Sequence, residues 1–256
     1  MTSGNAPSSA ASFARGTSDR APHVPNDAIP RDWSATAAFV ALVAGAAGGA
    51  LERGWPSGND PVAVAAFIAA HRPAILGQSA LFLVSSMAYF WFFGSLRAFI
   101  AEREGAGARL ASIVSSAGTA WIALGMVAQA LQIGQTLAAP TGVEPSMMWT
   151  MAAVFAIANL PCAVMLAAVA VATLRYGVFA RWLGALTIVA SLAQLVLSAG
   201  AIVTAGPLAP NGWLTYVLYP LIVVWLVPTA VVLFRSRRPG CSRDTDTEVA
   251  SAVEKH

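Results

Sequence analysis

Residues 147–174 read MMWTMAAVFAIANLPCAVMLAAVAVATL, and this stretch decides the fold because none of its residues is charged. About 20 consecutive apolar residues in a helix cross the ~30 Å hydrocarbon core of a bilayer. Five further stretches are similarly apolar and of similar length. We therefore predict an all-α polytopic membrane bundle with six transmembrane helices. The predicted spans are 33–51, 75–99, 110–137, 147–174, 182–204 and 213–234.

The composition of the whole chain agrees with a membrane protein. Of its 256 residues, 57% are hydrophobic and 11% are charged, and the mean hydropathy is +0.66. Soluble domains carry about 25% charged residues, so a soluble enzyme, a disordered regulator and a disulfide-stapled secreted module are all disfavoured. The net charge of +3 is too small to indicate a nucleic-acid partner. Membrane lipids are the predicted partners, with another membrane protein or a second copy of the chain as further candidates.

The sequence also predicts the structure of the two terminal segments outside the spans. Residues 1–31 and 237–256 are predicted to be disordered tails on either side of a transmembrane domain at 32–236, because they have too few bulky apolar residues to offset the entropy of ordering. Residues 33–51 have the alternative interpretation of a cleaved signal peptide, since small residues end the run.

A short apolar piece, Pro61–Arg72, lies between the first two spans. Asp60 has the position of an N-cap, Pro61 is a favoured first helical residue, and Pro73 follows the piece. Twelve residues or so are too few to span a bilayer, so we predict a short outer interfacial helix.

The basic residues predict the orientation. If the N-terminus is cytoplasmic, the outer segments carry only Arg53 and Arg72 of the 15 basic residues. Basic residues concentrate on the cytoplasmic side of membrane proteins. We therefore predict a multi-pass protein of the inner (plasma) membrane with both termini in the cytoplasm.

The sequence has no recognisable catalytic or metal-binding motif. His23, His71 and His256 are isolated from one another, and no charged residue falls at membrane depth. Proton-coupled carriers and pumps usually have such a residue, so both classes are disfavoured. Cys162 and Cys241 lie in an apolar run and a charged tail, which disfavours a disulfide. We predict no catalytic residues, no metal ligands and no cofactor.

Neutral polar residues at membrane depth are the candidates for function. An amide in hydrocarbon needs a hydrogen-bond partner, so these residues should point into the bundle. The simpler interpretation is hydrogen bonding between helices, and the sharper one is a polar groove for a neutral ligand between spans 3, 4 and 5. The candidate groove residues are Ser85, Ser86, Gln129, Gln132, Asn159 and Gln194.

Two local patterns allow both a packing and a functional interpretation. Pro161 follows Asn159 by two residues and predicts a kink, and transporters place substrates at broken helices. Ala41, Gly45 and Gly49 form a line of small residues, which packs a helix on its neighbour or joins two copies.

The stretch from Asp60 to Ile113 resembles a known type of sequence. An Asp-Pro pair opens it, His71-Arg72 follows, an apolar run ends in YFWFFGSLR at Arg97, and EGAGARL leads to Leu110. These features resemble a family of uncharacterised six-span bacterial integral membrane proteins, often actinobacterial, that is defined as a domain of unknown function. The resemblance implies the six-span plan and brings no activity, ligand or functional residue.

The sequence is compatible with three functional hypotheses. The first is a non-enzymatic accessory or partner-binding membrane subunit. The second is a carrier or channel for a small neutral or amphiphilic molecule. The third, an intramembrane enzyme acting on lipid, lacks an acid–base pair. A cavity between the polar helix faces would favour the second, whereas a dry interlocked core would favour the first.

Overall fold

The computed structural model describes residues 33–51, 60–142, 144–203, 205–209 and 212–236. The two tails that the sequence predicts to be disordered, 1–31 and 237–256, lie outside these residues. All the regular elements within the described ranges are helical. The chain is therefore an all-α bundle, as the sequence predicts.

The described residues form seven α-helices in chain order. Five helical stretches among these residues are long and apolar enough to cross a membrane, and α1 is a shorter apolar helix. Single 3-10 turns, 139–141 and 199–201, extend α3 and α5. The helices are α1 Trp33–Leu51, α2 Pro61–Glu104, α3 Arg109–Ala138, α4 Pro145–Tyr176, α5 Arg181–Ser198, α6 Trp213–Leu218 and α7 Pro220–Ser236.

The sixth predicted span corresponds to one apolar helical stretch, Trp213–Arg235, which contains α6 and α7. α6 and α7 are separated at Tyr219, directly before Pro220. Tyr219 keeps helical dihedral angles, with φ −59° and ψ −41°, and its N–H bonds to the Thr215 carbonyl at 3.0 Å. The helix direction therefore continues through this point, and only the hydrogen bond that Pro220 cannot donate is lost.

The segment Pro61–Arg72 differs from its prediction. Asp60 is the N-cap, and its Oδ1 accepts a hydrogen bond from the Val62 backbone N–H at 2.9 Å. The segment is not a separate interfacial helix, however, because α2 continues through Pro73. Apolar packing compensates for the hydrogen bond that proline cannot make. The packed residues are Val64, Ile68 and Ile75, against Phe67, Ala139 and Met148.

The helices form a ring that follows the order of the chain. α1 packs on α2, α2 on α3, α3 on α4, α4 on α5, α5 on α7, and α7 returns to α1. Consecutive long helices are antiparallel, as their contacts demonstrate for α2 and α3. Ser79 bonds to Gln132 near one end of this pair. Phe93 contacts Trp121 further towards the other end.

The antiparallel order gives the bundle two distinct ends. One end, which we call the arginine end, contains the short α2–α3 and α4–α5 connections and the end of α7. We call the opposite end the cavity end. The arginines at or next to the helix termini of the arginine end are Arg103, Arg109, Arg175, Arg181 and Arg235.

The half of the bundle towards the arginine end is tightly packed. Gly118 of α3 lies so close to α2 that a Cβ there would come within 2.9 Å of Phe93. Glu104 stabilises the turn into α3, because its carboxylate accepts the backbone N–H groups of Leu110 and Ala111 at 2.9 and 3.0 Å. The largest fully buried side chains of this half are Phe92, Leu96, Ile100, Met165, Leu166, Trp225 and Leu226.

Candidate functional site

A cavity of about 530 Å³ lies inside the half of the bundle towards the cavity end. Small-molecule pockets have volumes of roughly 300–1,000 Å³ and mostly apolar walls with a few polar groups. The cavity runs along α2 from Gln78 to Tyr89, which are about 16 Å apart at the rise of an α-helix. Its size and its walls are those of a ligand pocket.

Four amide side chains contribute to the cavity wall. Gln78, Gln129, Gln132 and Asn159 line it from α2, α3 and α4, and all four are buried. Charged side chains are absent from the lining residues that the structure describes. An amide both donates and accepts hydrogen bonds without carrying charge. The described wall therefore suits a neutral polar group.

The hydrogen bonds of these amides are incomplete. Gln132 Nε2 donates to the Ser79 hydroxyl at 3.2 Å, and Asn159 Nδ2 donates to the Phe155 carbonyl of its own helix at 3.3 Å. Gln129 Oε1 is buried and has no hydrogen-bond partner among the described residues. A buried acceptor without a partner costs about 1–3 kcal/mol, which a donor group of a ligand would offset.

Aromatic rings form the floor of the cavity. The Tyr89 ring lines the cavity and lies 5.3 Å from the Trp121 ring and 5.7 Å from the Phe93 ring, measured between centroids. Below this cluster begins the tightly packed half of the bundle. The cavity is therefore closed towards the arginine end.

The candidate residues from the sequence fall into two groups. Gln129, Gln132 and Asn159 come together at the cavity, whereas the other three are not part of its lining. Ser85 donates to the Ala41 carbonyl at 2.8 Å, which joins α1 to α2.

Ser86 and Gln194 have positions that suit packing. Ser86 donates to the Phe82 carbonyl one turn earlier in its own helix. Gln194 is 1% exposed, and Asn159 is 6% exposed, so both amides face the interior as predicted. Gln194 Nε2 has no partner among the described residues, so this atom makes no hydrogen bond to Asn159 or to a serine there.

Asn159 does not replace the backbone hydrogen bond that is missing at Pro161. α4 continues through Pro161, whose missing N–H leaves the carbonyl of Ile157 without its usual helical partner. Asn159 instead bonds to Phe155. The residue therefore contributes to the cavity wall without serving the carbonyl that proline frees.

The line of small residues on α1 has two roles. A Cβ at Gly45 would come within 3.2 Å of Ser85 Oγ, so Gly45 allows α1 to approach α2 closely. A Cβ at Gly49 would meet nothing within 4 Å. Ala41, Gly45 and Gly49 all line the cavity, and their small size leaves part of its volume open.

Sequence reasoning missed Gln78, Tyr89 and the contributions of α1, α6 and α7. Gln78 was detectable, because the α2–α3 hairpin brings it to the depth of the glutamines on α3. The contribution of α1 and α7 depends on the closure of the ring, for which the sequence has no local signal.

The described residues contain no group of three or more His, Cys, Asp or Glu side chains that could hold a metal ion. Comparison with known proteins found no matching family model, no matching curated protein and no matching solved structure. The resemblance of residues 60–113 to six-span bacterial membrane proteins stays a prediction.

Proposed function

We propose that this chain is an integral membrane protein that binds a small neutral, largely apolar molecule in the cavity. The observation that carries the proposal is a pocket-sized cavity whose described walls combine amides with apolar side chains and carry no charge. Bringing a charged ligand into such walls would leave its charge unpaired at a large cost in free energy. A ligand with a hydroxyl or amide group meets the complementary groups there.

The two halves of the bundle bear differently on the functional hypotheses. An accessory subunit needs only an interlocked core, and the half of the bundle towards the arginine end has one. The half towards the cavity end contains the cavity in place of such a core, which supports the ligand-binding hypothesis. The packed floor beneath Tyr89 favours a receptor, or a carrier that changes conformation, over an open channel.

The proposal includes an orientation in the inner (plasma) membrane. The excess of basic residues at the arginine end supports a cytoplasmic location for that end and for both termini. The cavity then belongs to the outer half of the bilayer. Reporter fusions after Arg103 and Arg181 should read cytoplasmic, and a fusion at Glu144 should read external. A cytoplasmic reading at Glu144 would refute this orientation.

Native mass spectrometry of the protein in lipid nanodiscs tests the binding. The probes are 1-decanoylglycerol, which is neutral, and decyl phosphate, which is charged. We expect retention of the neutral probe and much weaker retention of the charged one. Gln129→Met should lose the neutral probe, because the amide is replaced by a side chain of similar shape without its polar atoms.

Gln135→Met is the matched control for that substitution. Gln135 is also a buried amide of α3 with unpartnered atoms, but it does not line the cavity. Its replacement should leave probe binding unchanged. The proposal is overturned if the wild-type protein retains neither a co-purified small molecule nor 1-decanoylglycerol, or if both variants bind the probe equally.

A further inference from the structure

The lining residues of the cavity differ in exposure according to the helix that supplies them. Every lining residue from α2, α3, α4 and α5 is buried or half-buried. The exposed lining residues that the structure describes all belong to α1, to α6 and α7, or to the junction between α6 and α7. They are Ala46, Gly49, Tyr216, Tyr219, Pro220 and Val223. The cavity therefore opens on one side, along the seam between α1 and the α6–α7 pair.

The seam lies along the flank of the bundle. Val223 follows the start of α6 by ten residues, so the exposed lining extends about 15 Å from the cavity end along the helix direction. That depth reaches roughly the middle of a ~30 Å hydrocarbon core. Tyr216, Tyr219 and Val223 are 52%, 47% and 43% exposed. A molecule at the seam meets lipid chains as well as the membrane surface.

The two sides of the seam differ in the size of their side chains. On one side, Ala46 and Gly49 have little or no side chain. On the other side, the large side chains of Tyr216 and Tyr219 line the cavity, and Pro220 removes one backbone hydrogen bond where α6 meets α7. The α1 side of the seam is therefore the more open one.

From this asymmetry we infer that the ligand is a membrane-dissolved neutral amphiphile that enters sideways from the bilayer, through the α1–α6/α7 seam. The inference rests on the proposed function, since it names the class and the route of the ligand for the same cavity. Uncharged walls match a neutral head group, and the apolar seam matches an acyl-type chain. The amides of α3 and α4 lie across the cavity from the seam and meet the head group.

The rate at which bound ligand exchanges depends on the entry route, whereas the occupancy at equilibrium depends on the affinity. Measuring both separates the two. Protein in nanodiscs is loaded with deuterated 1-decanoylglycerol and mixed with nanodiscs that hold the unlabelled compound, and native mass spectrometry follows the loss of label. Ala46→Leu places a larger side chain at the seam. We expect exchange about tenfold slower than in the wild type, which corresponds to ~1.4 kcal/mol in the barrier, and the same spectra give the occupancy at equilibrium.

Ala47→Leu is the matched control, because Ala47 is the next residue of α1, is exposed and does not line the cavity. It should exchange at the wild-type rate. Wild-type binding together with unchanged exchange in Ala46→Leu refutes the lateral route and leaves the proposed function standing. Absence of binding in the wild type refutes both. Loss of occupancy in Ala46→Leu without slower exchange also refutes the route, since the substitution then acts on affinity.

Discussion

Two glutamines one turn apart on α3 should respond with opposite signs to the same substitution. Gln132 and Gln135 are both buried, at 3% and 4% exposure. Gln132 donates to the Ser79 hydroxyl, whereas neither Oε1 nor Nε2 of Gln135 has a partner among the described residues. Methionine has a similar length and shape and no strong hydrogen-bonding group. Gln132→Met should therefore destabilise the protein, and Gln135→Met should stabilise it.

The magnitudes follow from the hydrogen bonds. A hydrogen bond between membrane helices contributes about 0.6 kcal/mol on average and about 1.7 kcal/mol at most, so Gln132→Met should lose an amount in that range. A buried polar group without a partner costs about 1–3 kcal/mol. The unfolded chain in a membrane also finds partners for its amides, so we expect the low end, about 1 kcal/mol, as the gain from Gln135→Met.

Equilibrium unfolding in mixed micelles with increasing dodecyl sulfate measures both variants against the wild type. The separation between them should be about 1.6 kcal/mol, more than tenfold in the unfolding equilibrium constant. A loss of stability in Gln135→Met equal to that in Gln132→Met would refute the reasoning. Such a result would mean that the Gln135 amide has a partner in the membrane that the helix packing does not supply.

Two further substitutions test the packing and the capping of α3 in the same unfolding assay. Gly118→Ala should destabilise by about 1–3 kcal/mol, because the new Cβ would lie 2.9 Å from the buried Phe93 ring. Gly125→Ala on the same helix has nothing within 4 Å and should be neutral or stabilising by up to ~1 kcal/mol, so equal effects would contradict this account. Glu104→Ala should cost about 1 kcal/mol, since it removes the acceptor of two N–H groups at the start of α3. The exposed Glu102 is its control, and an equal loss in Glu102→Ala would show that the cap contributes nothing.

The sequence predicts the helices well because the bilayer imposes a simple rule. The length of each apolar stretch was sufficient to predict the spans. The predicted spans 110–137 and 147–174, for example, lie within the observed helices Arg109–Ala138 and Pro145–Tyr176. The Asp60 cap could also be predicted, since the side chain of an N-cap bonds to a backbone N–H only two or three residues later in the chain. These features depend on local sequence alone.

Features that depend on packing between distant segments could not be predicted from the sequence. Pro73 is a helix breaker in isolation, but the helix on its N-terminal side packs against Ala139 and Met148 and continues. The burial of Asn159 and Gln194 followed from the cost of an amide in lipid. Their hydrogen-bond partners depend on how each helix is rotated about its own axis. The uncharged residues around the two amides do not determine that rotation.

The cavity is the hardest feature to predict, because it arises from a mismatch between elements that are each well packed locally. Gly45 brings α1 close to α2, and the contact with Ser85 fixes that approach. The same helix then faces the cavity with small residues, so nothing on α1 fills the space opposite α3 and α4. In the half of the bundle towards the arginine end, large buried side chains such as Trp225 contribute to a packed core. Small residues that allow helix contact in one direction thus leave a void in another, and under the proposed function the amides of α3 and α4 select a neutral polar group there.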